Sequence, residues 1–207
     1  MEQNIELRQV RDFGELVNDT FVFVRQNLKP LLRSFVSICG VFIVFVIVSS
    51  VLYYMRIMEA MGDANEVSRP PEIFGFEYFL NLFFSFLTYI AISVMTLSYI
   101  SVYKDKGNQA PAVEEVWGYF KYFFMRLLWA SILLGLLCGL GFVLCLIPGF
   151  YLWPILSVVT AVMVFENCGM DYAFERGFKL VKNHWWTTFG ALIIIIVVVY
   201  AASLIFI

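Results

Sequence analysis

Five apolar stretches alternate with polar ones along the chain, at about residues 35–54, 76–103, 127–147, 150–165 and 185–207. A helix that crosses a bilayer needs about 20 predominantly apolar residues. The first three stretches and the last meet that length, and the fourth is short. Long unbroken apolar runs exclude the alternating pattern of a membrane β-barrel. The pattern therefore predicts an all-α, polytopic transmembrane helix bundle. The predicted spans run from Phe35 to Tyr54, Phe76 to Tyr103, Leu127 to Ile147, Phe150 to Phe165 and Trp185 to Ile207. Between the third and fourth, Ile147-Pro148-Gly149 reads as a tight turn without a polar residue, set by Pro148 and Gly149. Pro154 falls one turn into the fourth stretch.

Two segments ahead of spans carry helical rather than continuous hydrophobicity. Phe13, Leu16, Val17, Phe21, Val24 and Leu28 recur at helical spacing, with Glu15, Asp19 and Arg25 on the other face. Met170, Ala173, Phe174, Phe178, Val181 and Trp185 do the same against Asp171, Glu175, Lys179 and Lys182. Residues 12–30 and 170–184 are thus expected as amphipathic helices in the membrane interface, apolar face down. Packing on the cytoplasmic end of the bundle fits the same pattern. The two segments also align with each other, Phe21 on Phe178, Val24 on Val181, Arg25 on Lys182 and Leu28 on Trp185. A weaker third copy, VEEVWGYFKYFFMRLLW, precedes the middle span. The repeat would pair each such segment with a helical hairpin. Three units need six spans, so a sixth helix is expected beyond Ile207.

Composition narrows the class further. Of 207 residues 61% are hydrophobic and only 14% charged, against about 45–50% and about 25% in soluble domains. The charges that remain are sorted by side. Twelve of the 14 lysines and arginines fall in the N-terminal segment, around the loop after the second span, and ahead of the fifth. Arg56 and Arg69 alone fall in the segment 55–75, beside Glu59, Asp63, Glu66 and Glu72. Basic residues accumulate in cytoplasmic loops, so the N-terminus is expected in the cytoplasm, with 55–75 as an outer loop. The polar opening MEQNIELRQVRDFGELVND has no signal-peptide core.

Candidate chemistry is sparse. No glycine-rich phosphate loop, HExxH or GxSxG occurs. The cysteines (Cys39, Cys138, Cys145, Cys168) have neither CxxC spacing nor histidine partners, so neither disulfide nor metal nor other cofactor is expected. No acidic residue sits deep in a predicted span, where ion and proton pathways need one. No basic domain supports nucleic-acid binding. Gly135, Gly139 and Gly141 form a small-residue stripe suited to close helix packing. The chain's only histidine, His184, adjoins Trp185 and Trp186 at the mouth of the last apolar run. Amphipathic rings settle at headgroup level. Arg176, Lys179, Lys182, His184, Trp185 and Trp186 therefore read as an interface anchor or lipid-headgroup contact, and no catalytic residue is assigned.

The stretch from Ile147 to Gly190 resembles the glycerophosphoryl diester phosphodiesterase membrane-domain-like proteins of bacterial inner membranes. Pro148 and Gly149 match their turn. Ala173, Arg176, Gly177, Leu180, His184, Trp185 and Trp186 match their A-x-x-R-(S/G)-x-x-L-x-x-x-(H/N)-W-W pattern. LVNDTFVFVRQNLKPLL is similar to the opening helix of that family. The resemblance implies a six-helix domain of the inner membrane. Some members carry a phosphodiesterase domain, whose histidine and glutamate motifs this chain lacks, so that activity does not carry over. The role expected is a non-enzymatic accessory or scaffolding subunit. Its partners would be membrane lipids and another membrane protein or a second copy of the chain. A lipid or small-amphiphile transporter is the alternative, and a membrane-embedded enzyme with an unrecognised site a third.

Overall fold

The structure, a computed structural model, describes residues 13–62, 74–144, 146–182 and 184–205. Among these residues it is all-α, without a strand. The helices are α1 (Phe13–Gly62), α2 (Phe76–Asp105), α3 (Val113–Leu144), α4 (Leu146–Phe165), α5 (Met170–Lys182) and α6 (Trp185–Ile205). Three of them, α1, α2 and α3, are long and apolar enough to cross a membrane. That is the property of a multi-pass membrane protein. The apolar stretch Gly149–Phe165 of α4 is shorter, and α5 and α6 are the arms of a pair bent by 97°.

The 50 residues of α1 rise about 75 Å at 1.5 Å each, more than twice the roughly 30 Å of hydrocarbon in a bilayer. Its ends must therefore stand outside the apolar layer, and its charges lie at those ends, from Glu15 to Arg33 and again at Arg56 and Glu59. The segment expected as an interfacial helix, 12–30, is not a separate element among the described residues. From Phe13 onward the backbone continues without a break into the first span, with Pro30 inside the helix. The segment expected as an outer loop from residue 55 is helical as far as Gly62. Met55, Arg56, Met58, Glu59, Ala60 and Met61 are good helix formers. Residues 63–73 of that segment lie outside the described residues.

α1 and α2 form an antiparallel hairpin, as the partner numbers show. Phe23 meets Tyr103 with ring centroids 5.1 Å apart, and Phe45 stacks on Phe84 at the same distance. Polar staples run along the seam. The Tyr99 hydroxyl donates to Asn27 Oδ1 at 3.3 Å, Thr88 Oγ1 lies 3.1 Å from the Phe42 carbonyl, and Asn81 Nδ2 donates to Ser50 Oγ at 2.7 Å. Each pair satisfies groups for which hydrocarbon offers no partner. Phe21, Leu28, Leu32 and Val36 are exposed, so α1 turns its apolar stripe outward and its Phe23–Asn27 side to α2.

The core lies where α2 packs on α3 and α4. Ile90, Met95 and Tyr99 of α2, Val116 and Leu127 of α3, and Val159 and Met163 of α4 are all buried in one cluster. α3 and α4 form the second antiparallel hairpin. Where the sequence pattern predicts a turn at Ile147-Pro148-Gly149, the structure has helix: α4 includes Pro148 and Gly149, and residue 145, between α3 and α4, lies outside the described residues. Proline is tolerated in the first turn of a helix, where its missing N–H has no intrahelical acceptor. Gly149 is needed for proximity instead. A Cβ on it would stand 2.6 Å from the Phe142 ring, and one on Gly141 would stand 3.4 Å from Gly149 Cα.

α5 packs back along α4. Its buried residues are Ala173, Gly177 and Val181, one per helical turn. A Cβ on Gly177 would stand 3.0 Å from Val159 Cγ2, so α5 approaches α4 closely because this position is glycine.

Candidate functional site

Polar side chains gather where the ends of α2, α3 and α4 meet. The loop between α2 and α3 is closed by local hydrogen bonds at both ends. The Asn108 N–H donates to the Tyr103 carbonyl at 3.0 Å and the Gly107 N–H to Lys104 at 3.2 Å. Gly107 and Asn108 both take left-handed backbone, φ 65° and 69°. This is the Schellman pattern, which satisfies carbonyls that the helix end leaves open. At the far end, Glu115 Oε2 accepts the Ala112 N–H at 2.8 Å, the back-reaching half of a capping box. The same oxygen lies 2.8 Å from Lys106 Nζ. Lys106 and the Ala112 N–H hold the Glu115 carboxyl below its usual range. Glu115 lies in the first turn of α3, well ahead of the apolar run from Leu127. Across the loop, the Tyr119 hydroxyl donates to Asp105 Oδ2 at 3.0 Å.

The opposite wall is the α4–α5 connection. Arg126 Nη1 donates to Asn167 Oδ1 at 3.2 Å, and Nη2 donates to the Cys168 carbonyl. Asn167 takes a left-handed φ of 46°, which asparagine tolerates better than most residues. Between these walls lies a cleft of about 600 Å³, bordered by Asp105, Glu114, Tyr119, Tyr122, Phe165 and Asn167, among others. A second, of about 330 Å³, lies between Lys29, Arg33 and the start of α3, and Glu114 borders both.

The sequence-proposed anchor residues are distributed differently from one another. Arg176 Nε lies 3.4 Å from Glu166 Oε1, and Lys179 Nζ lies 2.6 Å from Glu175 Oε1. The Lys179 partner holds the Glu175 carboxyl below its usual range. Lys182 is exposed, without an ion pair among the described residues. The imidazole of His184 is exposed, and its carbonyl accepts the Thr188 N–H at 3.0 Å, so its backbone opens α6. Trp185 is the structural member of the tryptophan pair. Its Nε1 donates to the Tyr151 carbonyl at 3.1 Å, and its ring stacks on Tyr151 and on Phe189. Trp186 is 79% exposed and meets Trp185 edge-on. Gly135 and Gly139 face outward from α3, where an added Cβ would meet nothing within 4 Å. Gly141 is the member of that stripe spent inside the hairpin. The side chain of Pro148 lies outside the described ones.

The cleft is the feature sequence reasoning missed. Its signal was the pair Glu114-Glu115 at the start of a helix, which reads as ordinary helix-start chemistry. No group of three or more potential metal ligands occurs among the described residues. Neither a family model, nor a curated protein, nor a solved structure matches the chain.

Proposed function

We propose that this protein is a non-enzymatic accessory or scaffolding subunit of a bacterial inner membrane, with its N-terminus in the cytoplasm. It works by holding another membrane protein through the outer face of α3. The observation that carries this reading is the open surface over Gly135 and Gly139. Small residues on an outward helix face let a second helix approach to backbone distance, which is how helices associate where no hydrophobic drive separates protein from lipid. Leu133, Leu136 and Leu140 flank the stripe and are exposed, giving an apolar rim.

The polar groups of the seam between α1 and α2 support the same reading over coupled transport. Asn81 and Thr88 are engaged between helices, and among the described residues no carboxylate lies in the middle of α2. The five-span count, the interfacial placement of α5 and the membership suggested by the Ala173–Trp186 pattern belong to this proposal. Lys182, His184 and Trp186 are then the groups that meet lipid headgroups, since Arg176 and Lys179 are already paired.

Purification in mild detergent, with mass spectrometry of retained proteins and lipids, tests the reading. A membrane protein that co-purifies with the native chain and is lost from Gly135→Leu/Gly139→Leu supports it. Recovery of neither a partner protein nor a retained lipid contradicts it.

A further inference from the structure

We propose that the cleft between α1 and the start of α3 holds the phosphate of an anionic phospholipid. The inference rests on α1 crossing the bilayer and is independent of the scaffolding role. Lys29, Pro30 and Arg33 of α1 form one side of the cleft, and the segment from Pro111 to Glu114 forms the other. Its volume, about 330 Å³, is at the small end of small-molecule sites, roughly 300–1,000 Å³. That suits a headgroup rather than a whole lipid.

Lys29 and Arg33 are exposed, lie one helical turn apart on the same face of α1, and have no ion pair among the described residues. Like charges at this spacing repel, and an anion between them turns the repulsion into attraction. Glu114 is the carboxylate of the lining, and it forms no ion pair with either cation. Two positive charges against one negative leave a single positive charge in the cleft, which matches a phosphodiester. Lys106 and Lys121 are engaged elsewhere, Lys106 with Glu115 at 2.8 Å and Lys121 over the Trp117 ring at 5.1 Å.

Depth favours a lipid over a soluble phosphate. The first apolar run begins at Phe35. At about 1.5 Å per residue, Arg33 therefore stands about 3 Å outside it and Lys29 about 9 Å, both at headgroup level. An acyl chain has a track below the two cations. Val36, Gly40 and Val44 follow Arg33 at helical spacing, on the same side of α1. Val36 and Val44 are exposed, and a Cβ added to Gly40 would meet nothing within 4 Å. The track is an open apolar lane that starts at Arg33. A phosphate without chains would fill the cleft and leave the lane unused.

Native mass spectrometry of the full-length protein tests the site. The protein is released from micelles holding equal amounts of phosphatidylglycerol and phosphatidylcholine with the same acyl chains. Phosphatidylglycerol should be retained on the order of tenfold more than phosphatidylcholine. Lys29→Gln with Arg33→Gln should remove most of that preference. Arg25→Gln with Lys104→Gln removes the same charge away from the cleft and should keep it. Glu114→Gln is the converse variant and should strengthen the preference. Excess glycerol phosphate, which has no acyl chains, should not displace the lipid. Equal retention of the two lipids, equal loss from the two charge-pair variants, no gain from Glu114→Gln, or displacement by glycerol phosphate overturns the proposal.

Discussion

Arg126 of α3 donates to Asn167 Oδ1 at 3.2 Å and also to the carbonyl of Cys168, so one guanidinium ties α3 to the α4–α5 connection. A hydrogen bond to a charged group contributes about 1.5–3 kcal/mol. Arg126→Ala should therefore lower stability by about 1–3 kcal/mol. Arg126→Lys should recover only part of that, because an ammonium lacks the two-pronged geometry. Thermal unfolding in detergent measures both. Equal stability of the three proteins would remove the connection from this account.

Gly177 makes a sharper test of close packing. Its neighbour Val159 leaves 3.0 Å for a Cβ, while Gly40 in α1 has nothing within 4 Å. Gly177→Leu should cost about 1–3 kcal/mol by overpacking. Gly40→Ala should be neutral or add up to about 1 kcal/mol through helix propensity. If Gly177→Leu unfolds at the native temperature, α5 does not lie on α4 as described.

The Asn81–Ser50 pair joins α1 to α2 at 2.7 Å. Interhelical hydrogen bonds in membranes contribute about 0.6 kcal/mol on average and about 1.7 at most. A double-mutant cycle with Asn81→Ala and Ser50→Ala should return a coupling in that range. A coupling of zero would mean that the pair is incidental to the hairpin.

The proposed topology rests on the charge asymmetry. In a cysteine-free background, a cysteine at residue 64 should react with an impermeant thiol reagent in intact cells, and one at residue 109 only after lysis. The reverse pattern would invert the proposed orientation.

What was legible in the sequence was what hydropathy governs. The α2 boundaries follow the apolar run from Phe76, and α3 contains the run from Leu127. Three features escaped it for physical reasons. Pro148-Gly149 is a turn signal in general, yet proline fits a first helical turn and glycine fits a close crossing, so the same two residues serve α4. The amphipathic pattern before Leu31 marks a change of surroundings rather than a helix end, so α1 runs through it. The cleft joins Asp105, Glu114 and Asn167 from three elements, and its geometry depends on the caps of the short loop at 106–112. Its adjacent pairs, Glu114-Glu115 and Tyr122-Phe123 among them, read in sequence as ordinary helix residues. The tryptophan pair also divided: periodicity could not tell that Trp185 would reach the Tyr151 carbonyl while Trp186 stayed open.

The most direct test of the proposed role is photo-crosslinking in living cells from single positions on the two sides of the bundle. A photoreactive side chain replaces exposed Leu136, beside the glycine stripe of α3, or exposed Phe83 on α2. The account predicts a discrete protein adduct from position 136 and none from position 83. No protein adduct from position 136, or the same adducts from both, would contradict it.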